Sequence, residues 1–382
     1  MIEFSLEKYL TELEHLVNTD SGPDNPEGIS RVGGWFAEAF QRLGWIVERH
    51  DISSRTGSCI VVKNRNAGHY DVMLLGHTDT VFPSGEAARR PFRRDNKKAY
   101  GVGVIDMKQG CLAMYYVLAG LEDAALNRLN IVAVFNPDEE IGSPYSTPLI
   151  DSYAAISDYA FIFEAASTDG SRCLERKGRM KYHFQFHGAA GHAGYIFENN
   201  GVSAINEMAY WIVELNRLHN RDTGTSINVG VVKGGIAINI IPDFAELQVD
   251  IRYENKSEMD KVQALLEQLK KHAEKNSVGL TLKLEHILPP LISDERTIAY
   301  ARRMKEISEA LSIPFKYKKR GGCSDANHIA AFGPICVDGL GPTGDNDHSE
   351  NEYLDISTIE PNIRFAKALL EDLAGLKAGR EV

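Results

Sequence analysis

Three short segments place histidine and acidic side chains directly after apolar stretches of the kind that form buried strands. They are residues 74–79, 104–106 and 135–140. In an α/β sheet, side chains that follow parallel strands meet at the carboxyl edge, where ligands bind. Imidazole and carboxylate groups gathered without thiolates are typical of a catalytic zinc site, and Co²⁺ or Mn²⁺ also suits such ligands. The segments therefore predict a metal-dependent active site.

The spacing within two of these segments indicates how the residues would act. His77 and Asp79 are two positions apart in an extended stretch, so their side chains point to the same side. A carboxylate beside a ligating imidazole fixes the tautomer of the ring. Glu139 and Glu140 are adjacent acids that repel each other, which is costly after a buried strand. We expect one of them to bind a metal ion and the other to accept a proton from metal-bound water.

Two further candidates lie downstream. Glu164 follows the apolar residues 159–163, where an isolated acid is costly unless it is paired or coordinated. His348 lies in the polar stretch 344–350. Two Zn²⁺ ions, three carboxylates and one bridging hydroxide would leave this site with no net charge. The expected ligands are His77, Asp106, Glu140, Glu164 and His348.

The elements that would position these residues follow an α/β pattern. The first 45 residues carry apolar side chains at the spacing of two helices. Short apolar runs at 59–62, 72–75 and 131–135 predict strands, and residues 112–121 predict a helix between them. This alternation predicts layers of helices on a sheet.

Residues 177–288 show a different, self-contained pattern. Alternating apolar residues, two helical stretches and three more strands give the order β-α-β-β-α-β, which is ferredoxin-like. The chain then returns to helix, strand and helix at 298–311, 335–337 and 359–370. We therefore expect a discontinuous catalytic domain of residues 1–176 and 289–382 with a second domain, residues 177–288, inserted into it.

Composition and charge narrow the class of protein. The 382 residues are 43% hydrophobic and 25% charged, which is typical of a globular protein and not of a disordered chain. The net charge of −11 disfavours nucleic acid as a partner. No apolar run reaches the roughly 18 residues of a membrane span, and the chain begins with an acidic, amphipathic stretch, so we expect neither membrane insertion nor export. Five scattered cysteines without a C-x-x-C pair fit a reducing cytoplasm.

Several segments, taken in order along the chain, resemble the di-zinc exopeptidase and deacylase family. This family includes glutamate carboxypeptidase, acetylornithine deacetylase, succinyl-diaminopimelate desuccinylase and aminoacylase. The resemblance extends over nearly the whole chain and implies a mixed-sheet α/β catalytic domain with an inserted ferredoxin-like lid and dimerisation domain. The segments are residues 76–81, 103–110, 138–143, 191–194, 239–242, 250–252 and 347–349.

The resemblance implies a role for each metal-site residue. Asp106 resembles the carboxylate that bridges two zinc ions, with a cis peptide often following it. His77 and Glu164 would complete one metal site, and Glu140 and His348 the other. Asp79 would support His77. Glu139 resembles the general base that takes a proton from the bridging water and returns it to the leaving nitrogen.

The resemblance also implies how a substrate would be held. Asn239 and Arg252 resemble residues that bind the substrate's free carboxylate, which suits N-acyl amino acids and peptides. His192 resembles a histidine that reaches from one subunit of a homodimer into the partner's site and stabilises the oxyanion. Gly321 and Gly322 resemble the substrate-facing loop of glutamate carboxypeptidases. Cys323 stands in that loop where the family has a smaller residue, and we expect it to be a small buried filler.

One residue favours a subclass of the family. Position 164 is Glu, which in this family tends to accompany carboxypeptidases and deacylases, whereas Asp accompanies aminopeptidases and dipeptidases. The sequence thus predicts a carboxypeptidase, closest to the glutamate carboxypeptidase type, with an acetylornithine or succinyl-diaminopimelate deacylase as the alternative.

Other classes of protein fit less well. A serine hydrolase needs a G-x-S-x-G elbow, which the chain lacks. Gly101 and Gly103 lack the third glycine of a dinucleotide fingerprint. A non-catalytic homologue that binds an amino-acid derivative would have lost the base or a ligand, and all six positions are filled here.

Overall fold

The computed structural model describes residues 2–198 and 201–380. The chain divides into two compact units, and the second is inserted into the first. Unit 1 consists of Met1–Glu175, Ser293–Lys319 and Ser324–Val382, and unit 2 of Arg176–Ile292 and Arg320–Cys323.

The part of the chain that precedes the insertion alternates between helices and strands. Its helices are α1 (Leu6–Val17), α2 (Pro26–Arg42), α3 (Glu86–Arg89), α4 (Lys108–Ala119), α5 (Asp123–Arg128) and α6 (Thr147–Ala154). Its strands are β1 (Ile46–His50), β2 (Cys59–Lys63), β3 (Tyr70–His77), β4 (Arg93–Arg94), β5 (Lys98–Tyr100), β6 (Ile131–Asn136), β7 (Ser157–Ile162), β8 (Ala165–Ala166) and β9 (Arg172–Arg176).

The inserted segment and the closing segment complete the chain. The inserted segment contains β10 (Gly178–His187), β11 (Gly191–His192), α7 (Ala204–Asn216), β12 (Ser226–Gly234), β13 (Ile240–Ile241), β14 (Phe244–Tyr253), α8 (Lys256–Lys275) and β15 (Gly279–Leu288). The closing segment contains α9 (Glu295–Ala310), β16 (Tyr317–Arg320), α10 (Ala326–Ala330), β17 (Ile335–Val337), β18 (Gly341–Asp345), β19 (Tyr353–Asp355) and α11 (Ile359–Arg380).

A six-stranded mixed sheet lies at the centre of unit 1, with the strand order β1-β2-β6-β3-β7-β17. Strands β6, β3, β7 and β17 are parallel neighbours, whereas β1 and β2 are antiparallel additions at one edge. The four parallel strands therefore end at the same edge of the sheet. A second sheet of five short strands has the order β4-β5-β19-β18-β8.

Helix signals in the sequence explain where the first helices begin and end. The side chains of Ser5 and Asn25 cap α1 and α2 by accepting backbone N–H bonds, and Pro26 occupies the first turn of α2. Gly44 follows α2 with φ +78°, a conformation that favours glycine. The apolar faces of α1, α2, α4 and α11 pack with β2, β3 and β6 into one core.

Unit 2 has the ferredoxin-like order. Strands β10, β12, β14 and β15 form an antiparallel sheet in the order β12-β14-β10-β15, with α7 and α8 inserted between strands. Trp211 of α7 is fully buried against Phe184 and Phe186 of β10. This core is separate from that of unit 1.

The mixed α/β class, the ferredoxin-like insertion and all the helices and strands inferred from apolar patterns are confirmed. Three short stretches group with unit 2 and not with the outer segments to which the sequence assigned them: Arg176, residues 289–292 and residues 320–323. Arg176 and Leu291 exchange backbone hydrogen bonds, and Arg176 also donates to the Gly322 carbonyl. Among the described residues, no helix is both long enough and apolar enough to cross a membrane.

Candidate metal centre

Parallel strand ends bring one imidazole and three acidic side chains of unit 1 to one edge of the sheet. His77 is the last residue of β3 and pairs in register with Asn136, the last residue of β6. Glu139 and Glu140 begin the single 3₁₀ turn that follows β6, and Glu164 lies just beyond β7. The convergence at strand ends expected from the sequence is therefore present.

Asp106 comes from the loop before α4 and is held close to these strand ends. Gly110 in the first turn of α4 makes this approach possible, since a Cβ atom there would lie 2.0 Å from the carbonyl oxygen of Phe163. The Asp106-Met107 peptide is cis, as the resemblance implies. His348 comes from the turn between β18 and β19 and has φ 58°.

The Asp106 carboxylate lies between two imidazoles. Its Oδ1 is 3.1 Å from His77 Nε2, and its Oδ2 is 3.1 Å from His348 Nε2. His77 Nε2 also lies 3.6 Å from Glu164 Oε1, and His348 Nε2 lies 3.2 Å from Glu140 Oε2. All five expected ligands are thus brought together, in the two groups that the resemblance implies.

Asp347 is a further acid at this site that the sequence did not single out. Its carboxylate forms a second possible ligand group with Asp106 and His348, although Asp347 is exposed. Asp347 directly precedes His348 in the chain, but the sequence of a polar loop does not indicate which of its acidic side chains faces the metal centre.

Burial and contacts between charged groups shift the pKa values of these residues. Burial raises the pKa of Glu139 well above its ordinary range, against the opposing charge of His77. Burial and the Asp106 charge raise the pKa of Glu140 to about 7. Partial burial acts in the same direction on Asp106, but contacts with His348 and His77 hold its pKa well below the usual range. Contacts with Asp106 and Glu140 raise the pKa of His348 to about 11.

The donor set fits divalent metal ions. Two imidazoles and three carboxylates offer nitrogen and oxygen donors without sulfur, the combination found in catalytic zinc sites. Within the described part of the chain, Glu140 Oε1 is buried and has no hydrogen-bond partner. A buried carboxylate oxygen without a donor is costly, and coordination of a cation would satisfy it.

Asp79 supports both His77 and the acidic turn. It is buried, and His77 Nδ1 lies 3.1 Å from its backbone carbonyl and 3.3 Å from its Oδ1. Its two carboxylate oxygens also accept the backbone N–H groups of Glu139 (3.2 Å) and Glu140 (2.9 Å). The Asp79 side chain therefore orients His77 and both acids of the turn. The His-x-Asp spacing in the sequence indicated only the contact with His77.

Two buried acids near the centre were missed from the sequence. Glu352 is 1% exposed and accepts backbone N–H bonds from Gly103 (3.0 Å), Ile105 (2.8 Å) and Asp106 (3.1 Å). Asp325 accepts hydrogen bonds from the Asn136 side chain (2.5 Å) and from the Ser143 hydroxyl, beside the acidic turn. Both residues lie in polar stretches of the sequence, where a buried residue cannot be recognised from the spacing of apolar residues.

The residues expected to bind substrate lie in unit 2. Two of them, His192 and Asn239, are adjacent, because β11 pairs with β13 and Ala193 N–H donates to the Asn239 carbonyl. His192 Nδ1 accepts the N–H of Gly194 at 3.0 Å, so the neutral ring carries its proton on Nε2 and can donate from there.

The other expected substrate residues lie around Arg252. Gly321 and Gly322 are exposed. Cys323 is not the buried filler expected from the sequence, since it is partly exposed and its thiol contacts the Arg252 guanidinium.

Comparisons with known proteins show the family to which this chain is similar. The model for peptidase family M20/M25/M40 matches residues 73–372. The chain is 30% identical over 376 residues to carboxypeptidase G2 of Pseudomonas sp. (strain RS-16), covering 96% of this chain and 89% of that protein. It is 29% identical over 363 residues to acetylornithine deacetylase of Erwinia tasmaniensis, covering 90% of each chain.

A solved structure shares the fold. The crystal structure of aminopeptidase PepT from Bacillus cereus superposes with a TM-score of 0.77 over 97% of this chain and 99% of that one, at 19% identity.

We expect Glu352→Gln to weaken metal binding. In the wild type, three backbone N–H groups share the Glu352 carboxylate. The amide offers them only one carbonyl oxygen, so the loop that carries Asp106 should be held less firmly. A loss of about 10- to 100-fold in metal affinity is typical when such supporting contacts are removed. Competition between the protein and a chelator for the metal measures this loss of affinity. Glu350→Gln is the matched control, because Glu350 lies in the same loop with its side chain 68% exposed. Wild-type affinity in Glu352→Gln would contradict this role.

Proposed function

The chain belongs to peptidase family M20/M25/M40, and we propose that it is a carboxypeptidase-type hydrolase of amide bonds in N-acyl amino acids or peptides with a free C-terminal carboxylate. As a member of this family it is a metal-dependent hydrolase. The observation that carries the proposal is the Asp106 carboxylate held between His77 and His348 beside two further acids. The similarity to carboxypeptidase G2 and to acetylornithine deacetylase supports cleavage of an amide next to an amino acid.

We further propose that the centre holds two divalent ions, most simply Zn²⁺. His77 and Glu164 serve one ion, Glu140 and His348 the other, and Asp106 has one oxygen directed to each pair. When bound, such ions polarise the amide carbonyl and acidify a water molecule.

Glu139 is the proposed general base. It is adjacent to a metal ligand, and the Asp79 carboxylate holds its backbone N–H. A carboxylate placed beside the metal ligands can accept a proton from the attacking water. Glu139 takes the proton of the attacking water and delivers it to the leaving nitrogen.

Unit 2 supplies the proposed substrate contacts. Arg252 and Asn239 bind the free carboxylate, and Gly321 and Gly322 form the exposed loop beside Arg252. His192 donates from Nε2 to the oxyanion that develops during attack, which agrees with its Nδ1 accepting an N–H. We propose that His192 acts in the partner's site of a homodimer, and that unit 2 mediates the dimer. None of the five cysteines, all within the described residues, forms a disulfide, which favours a cytoplasmic location.

One alternative has specific support, and a second is disfavoured by the residues present. The similarity to acetylornithine deacetylase favours a deacylase, in which the acyl group is small and the amino acid carries the specificity. A binding protein without catalysis would keep the metal ligands and lose the base, and Glu139 is present.

A hydrolysis screen tests the proposal together with the role of Glu139. N-acyl amino acids and dipeptides with varied C-terminal residues, incubated with zinc- or cobalt-loaded protein, should be cleaved when their carboxylate is free. Glu139→Gln should bind metal nearly normally and lose about 100- to 10,000-fold in kcat, because an amide cannot accept the water proton. Glu360→Gln, at an exposed position in α11, is the control. A Glu139→Gln enzyme within a few fold of wild type would show that another group is the base.

Subunit mixing tests whether His192 works in the partner's site. His192→Ala homodimers should lose about 100- to 1,000-fold in kcat, the usual effect of removing an oxyanion donor. Glu139→Ala homodimers should be inactive as well. After random exchange, about half of the dimers are mixed and each has one complete site, so activity should return to about a quarter of wild type.

Mass spectrometry of the intact dimers establishes that exchange has occurred. If exchanged dimers stay at background activity, His192 serves its own subunit. If the His192→Ala homodimers keep their activity, His192 takes no part in catalysis.

A further inference from the structure

The thiol of Cys323 lies between a guanidinium and a backbone carbonyl of unit 2. Arg252 Nη1 is 3.2 Å from Cys323 Sγ, and Sγ is 3.3 Å from the carbonyl oxygen of Lys177. Both distances are short enough for hydrogen bonds to sulfur. The thiol therefore accepts an N–H from Arg252 and donates its own proton to Lys177.

Asp250 fixes the other side of the same guanidinium. Arg252 Nε donates to Asp250 Oδ1 at 2.6 Å, and Nη2 donates to Oδ2 at 3.3 Å. Asp250 in turn accepts from Arg179 Nε at 2.8 Å, so its charge is shared between two arginines. A guanidinium has five N–H donors, and these contacts with Asp250 and Cys323 engage three of them. The other two N–H groups are left for a substrate carboxylate. They lie in the plane of the guanidinium, whose orientation Asp250 and Cys323 fix.

The thiol at this position is neutral. Burial raises the pKa of Cys323, although the charges of Arg252, Arg179 and Arg176 act in the opposite direction. A neutral acceptor orients the guanidinium and leaves its positive charge in place. A second carboxylate would neutralise that charge. Arg252 therefore keeps the positive charge that a substrate carboxylate requires.

We propose that Cys323 is a positioning residue that orients Arg252 toward the free carboxylate of the substrate, and so contributes to the preference for carboxylate over amide. This inference rests on the role proposed above for Arg252. Cys323 acts through Arg252 and takes no part in bond cleavage. A residue that merely filled space would instead be replaceable by any small side chain.

The test compares three variants of the zinc-loaded full-length protein. Cys323→Ala removes the acceptor and should raise KM for a free-carboxylate substrate by about 3- to 10-fold, the usual net effect of losing one ordinary hydrogen bond. Its kcat should change little. Cys323→Ser keeps both an acceptor and a donor and should restore most of the affinity. Cys336→Ala, which removes a buried thiol from β17 in unit 1, should leave KM unchanged.

The probes are the N-benzoyl amino acid that the enzyme cleaves best and its C-terminal amide, used as a competitive inhibitor. The inhibition constant of the amide should be the same for wild type and Cys323→Ala. A KM unchanged in Cys323→Ala, or an equal loss for acid and amide, would overturn the positioning role. So would a Cys323→Ser enzyme as impaired as Cys323→Ala.

Arg252→Ala separates this inference from the function on which it rests. It should raise KM for the acid far more than it weakens binding of the amide, and adding Cys323→Ala to it should have no further effect. If Arg252→Ala does not distinguish acid from amide, the proposed carboxylate anchor is wrong and the role of Cys323 falls with it. If it does distinguish them and Cys323→Ala does not, only the role of Cys323 is wrong.

Discussion

One carboxylate shared by two imidazoles is the contact around which unit 1 is arranged. Asp106 faces His77 with one oxygen and His348 with the other. Glu139, Glu140 and Glu164 lie close by, and like charges in a buried site repel strongly. Such a group of acids must either take up protons or have positive charge among them. The charges that this chain gathers at the end of its parallel strands therefore favour bound cations.

Acids that are not proposed ligands hold the loops that carry the ligands. Asp79 binds the amides of the acidic turn, Glu352 binds those of the Asp106 loop, and Asp325 binds Asn136 and Ser143. A hydrogen bond to a charged group contributes about 1.5–3 kcal/mol, and leaving a buried charge without such bonds is more costly still. These three residues have little freedom to change, although none of them is directed at a substrate.

The sequence predicted those parts of the site that depend on strand geometry. His77, Glu140 and Glu164 were placed correctly because parallel strands end at one edge, and apolar runs reveal such strands. Residues whose role depends on tertiary contacts left no periodic signal. Glu352 and Asp325 stand in polar loops that usually face solvent, and nothing local distinguishes them from exposed acids such as Glu350. The sequence did not predict the contact between Cys323 and Arg252, because the two residues are 71 positions apart in the chain. Cys323 was therefore expected only to fill space.

The bridging arrangement of Asp106 is the central claim, and anomalous diffraction from crystals of the zinc-loaded protein, measured on both sides of the zinc absorption edge, tests it most directly. We predict two anomalous peaks about 3.5–4 Å apart, the spacing of two-metal sites, one on each oxygen of the Asp106 carboxylate. His77 and Glu164 should contact one peak, and Glu140 and His348 the other. A single peak at this site in fully loaded, active protein, or two peaks that do not share Asp106, would contradict the account.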